Sequence, residues 1–551
     1  MVTRRRRIRL TGRTVFLTTT GLVTLLLLAV LGLGVQSFVL VPKLFKLNKA
    51  CQEEGYYMAE FEFQMLGFAH LLNKGRYWEA ATGLRKLHER LKTRSGLVRV
   101  PPFADKNREL EFYLGLQNPR TGAFMDDAFP YCTYDEPTAN VLSHLEALAK
   151  QTGQPLRLKY PLRYLDAISD PDALRAYLDD VSTVGWIGSK LPQTSFVFAR
   201  GLLGHSEEGG IMERNHLYAF SPEWKHALLQ WFYAHQDPGT GYWGPRASGS
   251  GKLLRLDLDN TASIVKAFAD RAGNDIHASF PLRYKTQMFA TTLRVMSEPV
   301  PGDEDLDEWH GWTLSMTKGT RLLTRYLWKD ASREHRDRAA KAIAGYIRLQ
   351  FEKCFIPSEG AFSYYPASER ATLDGTNGVL NILRDVGAFS DTTQQRLWGP
   401  REGTSIDLGR FVVPAISGKD LDAILRSENV NSVRFFPGAD GVGAPPSEAA
   451  GVFYLRPTRV LDAVELLPRV RSWIENTRQS MGNWVSREQL SADLPEVVVG
   501  PVPVARGEIP LETLNLMLGK SGALTLICHD VLQVPVCRMT FQLASAPTRS
   551  R

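Results

Sequence analysis

Cysteine is scarce in this chain. Five in 551 residues are too few for a disulfide scaffold, and no Cys/His group has the spacing of a zinc site. Acid is missing from its start. No Asp or Glu precedes Glu53, whereas Arg4, Arg5, Arg6, Arg7, Arg9 and Arg13 crowd the first 13 positions. The formal net charge of +7 is therefore local. Residues 1–49 hold nine of the 66 Lys and Arg and none of the 59 Asp and Glu, which leaves 57 basic against 59 acidic side chains beyond them. That near balance excludes nucleic-acid binding by bulk charge.

What the start has instead is grease. The run from Thr14 to Val41 carries no charge and is long enough to cross a bilayer as a helix. Only Lys43, Lys46 and Lys49 follow it closely, so the positive-inside rule puts residues 1–13 in the cytoplasm and everything after Val41 outside. A cleaved signal peptide is the alternative. The run is longer than an ordinary signal core and has no clear small-x-small cleavage site, so a retained signal anchor over residues 14–41 is expected, its arginines facing anionic lipid.

One stretch is written three times. Gln117-Asn118-Pro119-Arg120-Thr121-Gly122-Ala123-Phe124 returns as Gln236-Asp237-Pro238-Gly239-Thr240-Gly241-Tyr242-Trp243, and more loosely as Gln350 followed by Pro357-Ser358-Glu359-Gly360-Ala361-Phe362. An aromatic residue stands four positions before each Gln: Tyr113, Phe232 and Tyr346. Pro-x-x-Gly-x-aromatic is turn chemistry, with Pro presetting φ and Gly supplying φ > 0. An acid-x-Thr pair follows each turn, as Glu136/Thr138, Asp259/Thr261 and Asp374/Thr376, and then apolar residues at helical offsets. The unit reads as helix, Gln, tight turn with an aromatic plug, and capped helix.

The copies lie 119 and 114 positions apart, room for two helical hairpins each. About six hairpins of that size suit a closed ring, which leaves no end hairpin bare. The expectation is a mainly α chain: a helical connector over 42–95 and an α/α toroid over 96–400. After Pro400, Arg410–Val413, Val433–Phe436 and Val452–Leu455 read as strands, Thr458–Gln479 as a helix bent at Pro468, and the tail as strands. Residues 401–551 are thus expected to form a smaller α+β region, with Pro437–Gly451 and Gly500–Pro510 as linkers. Cys528 and Cys537 sit in two apolar runs of that tail, either bridged across a hairpin or buried as free thiols.

Phe232, Gln236, Gly241 and Trp243 resemble the QW motif of terpenoid cyclases and protein prenyltransferases. The resemblance implies an α/α toroid fold with the motif as a structural brace. Asp257-Leu258-Asp259-Asn260-Thr261-Ala262 is similar to the Asp-x-Asp-Asp-Thr-Ala box of class II terpene cyclases. By that resemblance Asp259 would be the acid that protonates an isoprenoid or lipid-like substrate, and Asn260 departs from the family Asp. An acid recurs at this place in every copy, which also fits helix capping.

Carbohydrate chemistry is the second reading, because exported α/α toroids often act on polysaccharides as lyases, hydrolases or epimerases. Such sites need paired carboxylates or a Tyr/His acid–base pair, and aromatic platforms. The candidate catalytic residues are Asp135, Glu136, Asp257, Asp259 and His310. The candidate substrate-binding residues are Trp309, Trp312, Asp374, Tyr364 and Tyr365. Asp303 to Glu308 is a run of five carboxylates beside Trp309, His310 and Trp312, and that loop is expected to cover the toroid mouth where the acids converge. A third reading is a non-catalytic binding or assembly factor of the cell envelope. The partners expected are membrane lipid and an isoprenoid or glycan ligand; no metal ligand set is seen, and the residues name no cofactor. A reporter enzyme fused after Arg551 should be active only outside the cytoplasm, and activity inside would contradict this topology.

Overall fold

The computed structural model describes residues 39–399 except 58–60, 187, 192–193, 207–208, 357–360 and 389, and beyond them strand segments between 404 and 543. The expected anchor falls outside the described residues save for 39–41, which open helix α1 (39–53). Among the described residues no helix is long and apolar enough to cross a membrane.

The chain is mainly helical and divides into two compact units. The first runs to Pro238 and also takes Tyr242–Phe268 and Asp275–Arg283. It holds α2 (Phe61–Asn73), α3 (Tyr77–Thr93), α4 (Lys106–Leu114), α5 (Asp135–Thr152), α6 (Pro171–Ser182), α7 (Phe196–Gly201), α8 (Ile211–Arg214), α9 (Pro222–Ala234) and α10 (Leu258–Ile264). The connector expected over 42–95 takes in most of α1 and then α2 and α3. Its apolar residues Phe61, Phe68, Leu84 and Leu87 are buried, whereas Trp78 is 68% exposed.

The second unit takes Gly239–Gly241, Ala269–Asn274 and the chain from Tyr284 onward. Its helices are α11 (Lys285–Met296), α12 (Leu306–Arg321), α13 (Arg333–Lys353), α14 (Leu373–Asp385) and α15 (Asp391–Trp398). The expected change of rhythm after Pro400 is a sheet of β1 (Thr404–Val412), β2 (Ser432–Pro437), β3 (Val452–Pro457), β4 (Gly507–Pro510), β5 (Ser521–Val531) and β6 (Val534–Leu543), in the order β4-β2-β3-β1-β5-β6. β5 and β6 pair antiparallel in a register that sets Cys528 opposite Cys537. The stretch expected as the second linker ends in strand β4. The helix expected at 458–479 lies outside the described residues.

The three copies fold alike around one hydroxyl. The Phe124 amide donates to Thr138 Oγ1 at 3.0 Å, the Trp243 amide to Thr261 Oγ1 at 3.1 Å, and the Phe362 amide to Thr376 Oγ1 at 3.1 Å. Thr261 and Thr376 donate back to the carbonyls of Trp243 and Phe362, each at 3.1 Å, while Thr138 donates to the Tyr134 carbonyl at 2.6 Å. So the Thr two places after the acid clips the aromatic plug to the first turn of the following helix. All three plugs are at most 3% exposed and the three Gln at most 4%.

The Gln residues tie the turns to backbone further on. Gln117 Nε2 donates to the carbonyls of Gly122 (2.8 Å) and Tyr160 (2.7 Å), and Gln236 Nε2 to that of Arg283 (2.8 Å). Both reach a second repeat, Tyr160-Pro161-Leu162-Arg163-Tyr164 and Phe280-Pro281-Leu282-Arg283-Tyr284. Glycine is needed at Gly122 and Gly241, at φ +73° and +75°. A Cβ on Gly122 would collide with the Pro161 carbonyl.

Thr261→Val keeps the shape but removes both hydrogen bonds, and leaving a buried amide unpaired costs about 1–3 kcal/mol. Trp243→Ala empties a buried site at a cost of about 3–5 kcal/mol. Both variants should unfold at lower temperature, Trp243→Ala more so. An unchanged melting curve for either would show that the clip and plug do not brace the fold.

Candidate functional site

The helices that follow the three turns differ in how they are capped. In α10, Asp257 is the N-cap: its carboxylate accepts from the Asn260 amide (3.1 Å) and from Asn260 Nδ2 (2.7 Å). In α14 the cap is Thr372, which accepts from the Gly375 amide at 3.1 Å. In α5 the same position is Tyr134, whose side chain makes no cap bond. The acids that follow Tyr134 turn elsewhere.

Asp135 is the hub of a buried polar cluster within the first unit. Its Oδ1 accepts from Tyr164 OH at 2.9 Å, and both oxygens lie 3.0 Å from His205 Nε2. His205 is 5% exposed and stacks on Phe220 with ring centres 4.7 Å apart. Burial is the largest single influence on Asp135 and raises its proton affinity. The charge and hydrogen bond of His205 and the bond from Tyr164 together outweigh it, and the carboxyl is held below its ordinary range. Burial, then the Asp135 charge, pushes the Tyr164 phenol well above its usual value.

Glu136, the next residue, accepts from Arg200 Nη2 at 2.8 Å. The two acid-centred groups share a cleft of about 330 Å³ lined by Asp135, Glu136, Arg200, His205, Ser263 and Lys266, with small residues such as Gly201, Gly204 and Ala139 between them. His205 spends Nε2 on Asp135, so Nδ1 is the ring nitrogen left to exchange a proton with a ligand. The cleft thus brings together an oriented histidine, an ion-paired carboxylate and a guanidinium. Among the described residues no Phe, Tyr or Trp lines it.

The other expected residues do not join this cleft. Ser263, Lys266 and Ala267 line it from the end of α10 and just beyond, but neither Asp257 nor Asp259 does. Asp257 acts as the cap, and burial, ahead of the opposing bonds from Asn260, raises its proton affinity. Asp259 is half-buried in the first turn of α10.

The remaining candidates lie in the second unit, and the expected loop over a toroid mouth is corrected there. The acidic run opens α12, with Asp307 and Glu308 in its first turn, where acids favour the helix dipole. Trp309, fully buried, donates from Nε1 to the Tyr364 carbonyl at 3.2 Å, and Trp312 packs edge-on against Tyr346. These are core residues, not an exposed platform. His310 is exposed beside Tyr364, at 5.2 Å between ring centres, and Tyr364 stands 5.0 Å from Tyr365, both half-buried. Asp374 is exposed in the first turn of α14.

Tyr164, Arg200 and His205 were missed by reading the sequence. The Pro-Leu-Arg-Tyr repeat was the available signal for Tyr164, while Arg200 and His205 sit in Phe198-Ala199-Arg200-Gly201-Leu202-Leu203-Gly204-His205, which carries no local motif. No family model, curated protein or solved structure matches the chain.

Proposed function

We propose that this chain is a membrane-anchored, extracytoplasmic enzyme that modifies an acidic glycan by base catalysis, with His205 as the base. The observation that carries the reading is the Asp135–His205–Tyr164 cluster at a polar cleft that also holds Glu136 and Arg200. Asp135 orients His205 through Nε2, leaving Nδ1 to take a proton from a bound substrate. Arg200 is placed to offset negative charge that develops as the proton leaves.

The same geometry favours elimination or epimerisation over hydrolysis. A glycosidase needs a carboxylic acid that keeps its proton near neutral pH. Asp135 is held below the ordinary carboxylate range, and Glu136 is ion-paired with Arg200. Neither suits proton donation. A uronic-acid residue, whose carboxylate acidifies the neighbouring C–H and would meet Arg200, fits what these groups supply.

We take the helical hairpins as parts of an α/α toroid, supported by the recurrence of the clip and plug in three copies and of the Gln tie in two. The isoprenoid reading has one observation in its favour, the raised proton affinity of Asp257. Both Asp257 oxygens are nonetheless held by Asn260, the residue that departs from the cyclase box.

The test is turnover of uronate-containing polysaccharides by the purified full chain, read as unsaturated uronate or as epimerised residues, with a neutral glucan as control. Losing general-base catalysis costs on the order of 10²–10⁴ in rate. Asp135→Asn and His205→Gln should fall by that much, and Arg200→Lys, on the more open side of the cleft, should lower kcat while the melting temperature holds. Because the Asp135 carboxyl is depressed in the fold, its stabilisation is present above the ordinary carboxylate range and is lost as pH falls through and below it. Asp135→Asn should flatten that acid loss. Undiminished turnover in all three variants would contradict the assignment.

A further inference from the structure

The second unit collects positive charge where its longest helical run changes pitch. α12 ends at Arg321 and continues as a π-helical turn, Leu322–Leu327. Such wide turns are rare and concentrate at functional sites. Here the turn lets Arg321 and Arg325 reach one carboxylate. Arg321 Nε donates to Asp385 Oδ2 at 3.2 Å, and Arg325 donates to Oδ1 from Nε at 2.6 Å and again from Nη2. The Asp385 side chain is wholly buried, while those of Arg321 and Arg325 keep 22% and 16% of their surface.

A third guanidinium comes from α15. Arg396 Nη1 donates to the Thr324 carbonyl, inside the π-helical turn, at 2.9 Å. Among the described residues Arg396 has no acidic partner. Burial first, and then the charge of Arg325, pull its guanidinium below the ordinary value. Three positive groups thus stand near one carboxylate, Arg321 and Arg325 half-buried on it and Arg396 exposed beside them, an excess of positive charge that an anion would offset.

The donors left over say what that is. Nη1 of Arg325, both Nη of Arg321, and Nε and Nη2 of Arg396 meet no acceptor among the described residues. We propose that Arg321, Arg325 and Arg396 form a binding site for a phosphoryl group, separate from the Asp135 cleft and independent of the reaction assigned to it. Guanidinium forks match the tetrahedral oxyanion in charge and in geometry. Asp385 would act as the positioning residue that holds two of the three forks in place.

The test is thermal unfolding and calorimetric titration of the full chain in neutral detergent, with inorganic phosphate and glycerol phosphate against chloride at equal ionic strength and pH. Wild type should bind either phosphate saturably and melt at higher temperature in its presence. Tighter binding of glycerol phosphate assigns an esterified group and tighter binding of inorganic phosphate a free anion, and each supports the site. Arg396→Gln should weaken binding about tenfold, the value of one charge-assisted fork, while melting in chloride stays level or rises as like-charge repulsion is relieved. Arg396→Lys should keep part of the affinity. Absence of a phosphate effect in wild type would overturn the proposal. So would equal binding by Arg396→Gln, or a fall in its melting temperature of the same size in chloride and phosphate.

Discussion

A threonine hydroxyl that joins an aromatic plug to the first turn of the next helix is the contact on which the helical units depend. The plug's backbone amide is buried, where water cannot satisfy it, so the hydroxyl of Thr138, Thr261 or Thr376 must. In the first two copies the turn before the plug then has one geometry. Pro sets its entry, Gly122 or Gly241 supplies the left-handed residue, and Gln117 or Gln236 fixes the far side to backbone more than forty residues on. Each brace needs only a few residue types at fixed offsets, which is why it could be copied along the chain.

The copies then diverge at the residue that caps the following helix, and the candidate site arises from that divergence. Where the position is Asp257 or Thr372, its side chain closes the helix end. Where it is Tyr134, no side-chain cap forms. Asp135 and Glu136 then face Tyr164, His205 and Arg200 instead of their own helix. One brace therefore opens a self-capped helix in two places and, in the remaining one, a helix whose first acids line a polar cleft.

This explains what could be read from the sequence and what could not. The turns, their plugs and the helices after them were legible because local chemistry dictates them at short range. So were the strands beyond Pro400, marked by short runs of β-branched and aromatic residues. Glu136 stood out as the acid at a repeated place, with Asp135 beside it, but their partners lie 29 to 70 residues away and no spacing rule links them. Trp309 and Trp312 misled because an acidic run beside aromatics looks like an exposed loop. At helical spacing the same residues put the acids in a first turn and the indoles in the core.

The most direct measurement of the central claim is the tautomer of His205. In the chain labelled with 15N at histidine, with His205→Gln to assign the signal, the neutral ring should carry its proton on Nε2, where Asp135 accepts it. Nδ1 should be bare, and its resonance should move when a uronate oligosaccharide is added. A proton on Nδ1, or a resonance that the oligosaccharide leaves in place, would contradict the account of His205 as a base aimed at substrate.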